Sequence, residues 1–385
     1  MSFLLVVIFL LAVVITAVAG KGLRARRWRT SPPDGFPADE KSHLSKQQTA
    51  ADQAFALKAG IINGLSSGNP SIQPLLNFDW KTTEPLKLRP FKPKYHITMA
   101  IQNSAPSDLI VIDRNYFKAV AYRQVIMKNH PKTVMGCIPS GVAPLQELYS
   151  YLLGEYLPTR YPSMFSLSPD RVSFTNKVTG SSYPISPVPS NPEDIMRILG
   201  STIEDDIFLL IQDPETKEHR SVAFICCHPS GFDPAEKLDK VLAAIHGPVP
   251  AYEKIGASME RFFAKLEAWR GVKRMNWSLQ THTNLFAPSG NHVHADEEVE
   301  EETSVDITST RFRVELQSLT RLPKTNAICF SFKTFLYPLE EIKDEGLGLD
   351  LADAIEGLKA GNAPGMWVYK GSIRWGRAIC EYLRS

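Results

Sequence analysis

The chemistry open to this 385-residue chain rests mainly on nine histidines and a nearly balanced set of 43 basic and 41 acidic side chains. His246 stands apart. It closes the stretch Pro234–His246, whose Leu238, Val241, Leu242 and Ile245 recur at helical spacing. Gly247-Pro248-Val249-Pro250 then forces the chain out of the helix and stiffens it. A ring held at a rigid helix end can stay aimed at one target. The same position suits a histidine that only meets the helix dipole and packs on Pro248. A second candidate is the alternating stretch Thr310–Leu322, where Arg313, Glu315 and Gln317 share one face. Facing a cavity, they would form a charged, hydrogen-bonding wall for a small cationic or polar ligand; facing solvent, they need no explanation.

The other histidines read more plainly. His292 and His294 could hold a metal beside Asp296–Glu302, but six acids in seven residues mark an exposed loop. His228 precedes Pro229 and reads as a turn residue, while His43, His130 and His219 sit in loop-like contexts. His96 and His282 lie near strands. Cys226 and Cys227 are adjacent in a strand and point to opposite faces, which argues against a redox pair.

Several chemistries lack their motifs. No glycine-rich dinucleotide fingerprint, phosphate-binding loop, nucleophile elbow, HExxH or paired CxxC occurs, so neither a flavin nor an iron–sulfur site is evident. Five cysteines, an odd number at irregular spacing, do not make a disulfide framework. A net charge of +2 excludes a generally basic nucleic-acid binder.

Helices and strands alternate without a repeated βαβ wind, which predicts an α+β fold built on an antiparallel sheet. Amphipathic stripes predict helices over Pro144–Leu157, Pro234–His246 and Ala251–Trp269, with shorter ones over Asn191–Leu199, Leu349–Lys359 and Ile373–Leu383. Asp206–Gln212 with Ser221–Cys227 reads as one hairpin, and Thr310–Leu322 with Asn326–Tyr337 as a second, longer one. Tyr183–Pro192 and Pro288–Ser309 read as insertions, the latter an acidic loop.

The amino-terminal end has its own character. Phe3–Ala19 is apolar except for Thr16 and would span roughly 26 Å as a helix. No basic residue precedes it, and Lys21, Arg24, Arg26, Arg27 and Arg29 follow. This predicts a membrane anchor over residues 1–20, with the body facing the cytosol and the endoplasmic reticulum as the default membrane. The alternative is a secretory signal cleaved after Ala17-Val18-Ala19. Residues 21–77 read as a basic flank and flexible linker, and the body as residues 78–385. The five basic residues precede any acid, so the rest of the chain carries a net −3. Asn276-Trp277-Ser278 is the one glycosylation sequon.

Six short pieces, in order, carry a family resemblance: Tyr156–Pro162, Glu204-Asp205-Asp206, Phe232–Lys237, Ile245–Pro250, Arg274–Ser278 and Arg313–Pro323. Together the chain resembles the α subunit of haem-dependent oxidative N-demethylase, a family with many membrane-anchored fungal members. The resemblance implies a PAS-like haem-binding fold and a haem b held by one histidine. It implies oxidative removal of an N-alkyl group from a small amine with oxygen. Electrons would come from a separate reductase. Carried over residue by residue, His246 becomes the haem iron ligand, and Glu315, Gln317 and Arg321 the catalytic face. Arg274 and Asn276 become propionate or pocket contacts, and Arg321 would steady Glu315 or a propionate. Leu316 and Ser318 stand where the family usually has Arg and Thr, which puts dimethylamine, the bacterial substrate, in doubt. The alternatives are a non-catalytic PAS-like haem or gas sensor and a haem-free membrane scaffold.

Overall fold

The computed structural model describes residues 72–385 except residues 269, 294–296 and 303. The apolar run Phe3–Ala19, its basic flank and most of the linker lie outside the described residues, as does His294. Among the described residues no helix is long and apolar enough to cross a membrane. Ile72, Leu75, Phe78 and Trp80 already pack against the main core.

Among the described residues ten strands form: β1 (Gln102–Asn103), β2 (Met135–Cys137), β3 (Phe165–Leu167), β4 (Ser173–Asn176), β5 (Ser181–Pro184), β6 (Asp206–Gln212), β7 (His219–Ile225), β8 (Val272–Gln280), β9 (Arg311–Arg321) and β10 (Ile328–Pro338). Seven make one antiparallel sheet in the order β1-β8-β9-β10-β6-β7-β2, and β3-β4-β5 form a small second sheet. Both predicted hairpins are present, and β10 pairs with β6 to join them. The architecture is α+β with an antiparallel sheet and flanking helices.

The period of two assigns the sheet's faces. On one face, Ile207, Leu209, Ala223, Ile225 and Cys329 pack under Val120 and Met127 of the helix Tyr116–Asn129 and Ile195 and Leu199 of the helix Pro192–Gly200. Leu145, Leu148, Leu152 and Leu153 join this core from the helical run of residues 142–160. Further along, Trp277, Phe312, Val314 and Phe335 pack under Leu351 and Ile355 of the helix Gly348–Glu356 and Trp375 and Ile379 of the helix Ser372–Arg384. The other face is mixed. Registers Arg274↔Gln317 and Asn276↔Glu315 group polar side chains at one end. Phe330↔Phe208 and Phe208↔Phe224 group aromatic ones at the other. Cys226 and Cys227 do point to opposite sides, each into a different core.

Three expectations about helices change. The stretch expected as a helix over Ala251–Trp269 forms a 3₁₀ turn over Tyr252–Lys254 and then the helix Gly256–Lys265, after which Leu266 is extended. Pro234–His246 is not one helix: a 3₁₀ turn over Pro234–Lys237 is followed by extended Leu238, left-handed Asp239 (φ 59°) and then the helical turn Leu242–Ile245. The break arises because residues 239–241 run beside β7. Asp239 N donates to Ser221 O (2.8 Å), Ser221 N donates to Lys240 O (3.0 Å), and Val241 bridges Arg220. The helix Tyr116–Asn129 was not anticipated, because its buried stripe of Tyr116, Val120, Arg123 and Met127 contains an arginine.

Candidate cofactor and substrate cavity

The mixed face of the sheet is covered by the excursion between β7 and β8 and by residues near 95–101 and 366–370, leaving a cavity of about 300 Å³. That is the size of a small-molecule site. Its apolar half is aromatic: Phe208, Phe330 and Phe332 from the sheet face Met259 and Phe263 of the helix Gly256–Lys265. The rings of Phe208 and Phe332 lie 6.4 Å apart and nearly parallel.

His246 reaches this cavity from the end of the turn Leu242–Ile245. Its Nδ1 lies 2.9 Å from Leu242 O, and a carbonyl can only accept, so Nδ1 carries the proton and Nε2 keeps its lone pair. Tyr252 stacks on the ring at 4.7 Å, within 4° of parallel, and fixes its plane. Burial holds the imidazole's pKa below its usual value and keeps it neutral. A ring N–H held by a backbone carbonyl, with the other nitrogen bare, is the form a metal-ligating histidine takes. Among the described residues no cluster of three or more His, Cys, Asp or Glu side chains is placed to hold a bare ion. The interrupted helix costs the site nothing, since one turn suffices to supply the Leu242 carbonyl.

The polar half gathers round Glu315. Its Oε2 accepts from Gln317 Nε2 (2.8 Å) and Asn276 Nδ2 (3.3 Å). Asn276 Oδ1 in turn accepts from Lys370 Nζ (3.2 Å), which also donates to Trp277 O. Lys370 is 4% exposed, and burial brings its pKa down to about 8. Arg274 is half-buried as a residue, but its Nε is enclosed without a hydrogen-bond partner, and burial lowers its pKa too. Among the described residues neither cation has a carboxylate within 4 Å. With Lys237 beside His246, the lining holds three cations against the one carboxylate.

The structure thus brings together His246, Arg274, Asn276, Glu315 and Gln317 on one cavity. Arg321 does not join them. It lies two same-face steps beyond Gln317, and its guanidinium donates to Phe263 O, Leu266 O and Asn326 O (2.7 Å). Carbonyls at and just past the end of the helix Gly256–Lys265 hold it there. Arg313 is similarly spent, on His228 O (2.6 Å) and Gln280 Oε1 (3.1 Å). Leu316 points to the opposite face and packs in the core there.

Several participants were not foreseen. Lys370 reads as an ordinary surface lysine in sequence. His292, expected in a solvated loop, stacks on Tyr369 (4.3 Å) at the cavity wall. Gly231 makes room for it: its φ is 71°, and a Cβ there would stand 2.8 Å from the His292 ring. The acidic residues after it, from Glu297, are largely exposed as expected. His219 is buried on β7 with Nδ1 2.6 Å from Glu260 Oε2, not in a loop. The sequon residue Asn276 lies inside the sheet and is bonded to Glu315.

A second polar cluster lies past the start of β6. Asp206 pairs with Arg123 and accepts from the backbone N–H groups of Cys227 and His228 (2.8 Å each). Lys333 bridges Asp113 Oδ2 (2.7 Å) and Glu204 Oε2 (2.9 Å). This gives Glu204 and Asp206 a structural explanation, while Asp205 is buried with its Oδ2 unpartnered. His228 is not a surface turn residue: it is 4% exposed, beside Tyr122, and burial drops its pKa to about 3.

A family model described as "Haem-dependent oxidative N-demethylase, alpha subunit-like" matches residues 100–380, most of the chain and nearly all of the cavity wall. The chain belongs to the haem-dependent oxidative N-demethylase alpha-subunit-like family.

Proposed function

We propose that this chain binds haem through His246 and oxidatively removes an N-alkyl group from a small amine, in a PAS-like site. The observation that carries the reading is the His246 ring. Its Nδ1–H is engaged by Leu242 O, and Nε2 is bare on the wall of an aromatic cavity. The residues present fit such a group. Phe208, Phe330, Phe332 and Met259 offer apolar surface to a macrocycle. Lys237, beside His246, is a cation available to its carboxylates.

Bound haem supplies the capacity to activate oxygen, and the protein supplies binding, orientation and electrostatics. Glu315 binds the amine as its ammonium. Gln317 and Asn276 hold that carboxylate in place through the Oε2 hydrogen bonds. The aromatic half excludes water from the reacting carbon. The overall reaction balances as amine, oxygen, two electrons and two protons giving dealkylated amine, aldehyde and water. The electrons come from a separate protein, consistent with a family named for an alpha subunit. The anchor at residues 1–20 would place the body on a membrane, tested by whether a carboxy-terminally tagged chain resists carbonate extraction.

The full chain, purified from haem-replete cells, is expected to show a Soret band that His246→Ala abolishes. A colourless wild-type protein rejects the reading. Turnover of an amine in the presence of a reductase separates a catalyst from a haem sensor.

A further inference from the structure

The polar end of the cavity contains more positive charge than its carboxylate balances. Arg274 and Lys370 both flank Glu315, yet neither lies within ion-pair distance of it, and Arg274 Nε is enclosed with no partner at all. Glu315 itself is turned to Gln317 and Asn276. Taking cations out of water without an anion is costly. Such an arrangement persists where an anionic group completes it. A simple dialkylammonium ion would answer only Glu315, and would add a third positive charge next to two.

We propose, resting on the N-dealkylation reading, that the substrate class is an N-alkylated amino acid. Its ammonium group lies on Glu315 and its carboxylate on Arg274 and Lys370. The register Arg274↔Gln317 and Asn276↔Glu315 sets the cationic and anionic subsites on neighbouring strands. Lys370, 3.2 Å from Asn276 Oδ1, closes the cationic side from above the sheet. The two subsites therefore stand side by side, as the two charged groups of an α-amino acid do. The departure at position 316 leaves this arrangement untouched, because Leu316 lies on the far face.

The test is calorimetric titration of the full chain near pH 7 with N-methylglycine, dimethylamine and acetate, after its haem content has been read from the Soret band. N-methylglycine is expected to bind at least about tenfold more tightly than dimethylamine, the scale of one charge-assisted contact. Arg274→Gln should abolish that preference with haem content unchanged. Glu315→Gln should weaken both amines. If Arg274→Gln does not fold, Lys370→Met is read in its place. Dimethylamine binding as tightly as N-methylglycine overturns the proposal, as does failure of both to bind. So does an Arg274→Gln protein that loses haem and keeps the preference, which would assign Arg274 to the cofactor. The two readings fail separately. A colourless protein that prefers N-methylglycine removes the haem assignment alone, and a haem protein without the preference removes only this one.

Discussion

Consecutive residues of β10 point into two polar regions of opposite design. Lys333 enters the cluster with Asp113 and Glu204, near the Arg123–Asp206 pair, and both of its cations have carboxylate partners in the protein. Phe332 enters the cavity, where Arg274 and Lys370 have none. Both regions are shielded by the same sheet, so burial does not distinguish them. Completion does. A buried ion pair that also spends its remaining hydrogen bonds on backbone, as Asp206 does with Cys227 and His228, holds elements together. Buried cations with hydrogen bonds but no carboxylate, as Lys370 is, leave room for an anion.

The sharpest way to break this contrast is to remove one charge from each region. Asp206→Asn strands Arg123 and weakens the anchoring of two backbone N–H groups, and should cost about 3–5 kcal/mol in urea unfolding. Arg274→Gln removes a cation that has no protein anion, and should cost less than about 1 kcal/mol in the ligand-free chain. Equal losses would mean that Arg274 is structural too. A smaller effect concerns pH. Burial lifts the carboxyls of Glu204 and Asp205 to about 7 each. The folded chain thus keeps protons that an unfolded carboxyl, with a pKa near 4, has already lost. The stability this provides is full below the unfolded values and is lost as pH rises through 7. The thermal midpoint should therefore fall between pH 6 and pH 8, and Glu204→Gln should flatten that slope. Asp206, whose pKa is lowered, acts in the opposite sense and only at more acid pH.

The contrast also explains what the sequence could reveal. The central hairpins were legible because their strands pair locally and alternate cleanly, so Glu315 and Gln317 could be put on one face before that face was known to line a cavity. His246 was legible through Gly247-Pro248, although the helix assumed before it is broken at Asp239. What was hidden is burial of charge. Arg123, Lys333 and Lys370 have partners far away in the chain, and a charged residue without its partner in view reads as solvent-facing. Arg321 lies off the cavity for a related reason. Strand parity placed it correctly, but its reach ends on a helix terminus that parity cannot show.

The cavity wall has a bearing on where the domain can be cut. The family match begins at residue 100, yet Tyr95, Ile97, Thr98 and Met99 already line the cavity. Tyr95 also lies under Lys370, 5.7 Å from its ammonium, and bridges Gly361. A fragment trimmed to the boundaries of the family match would keep the sheet, His246 and Glu315 and still have an open wall. The functional unit begins upstream of the homologous one.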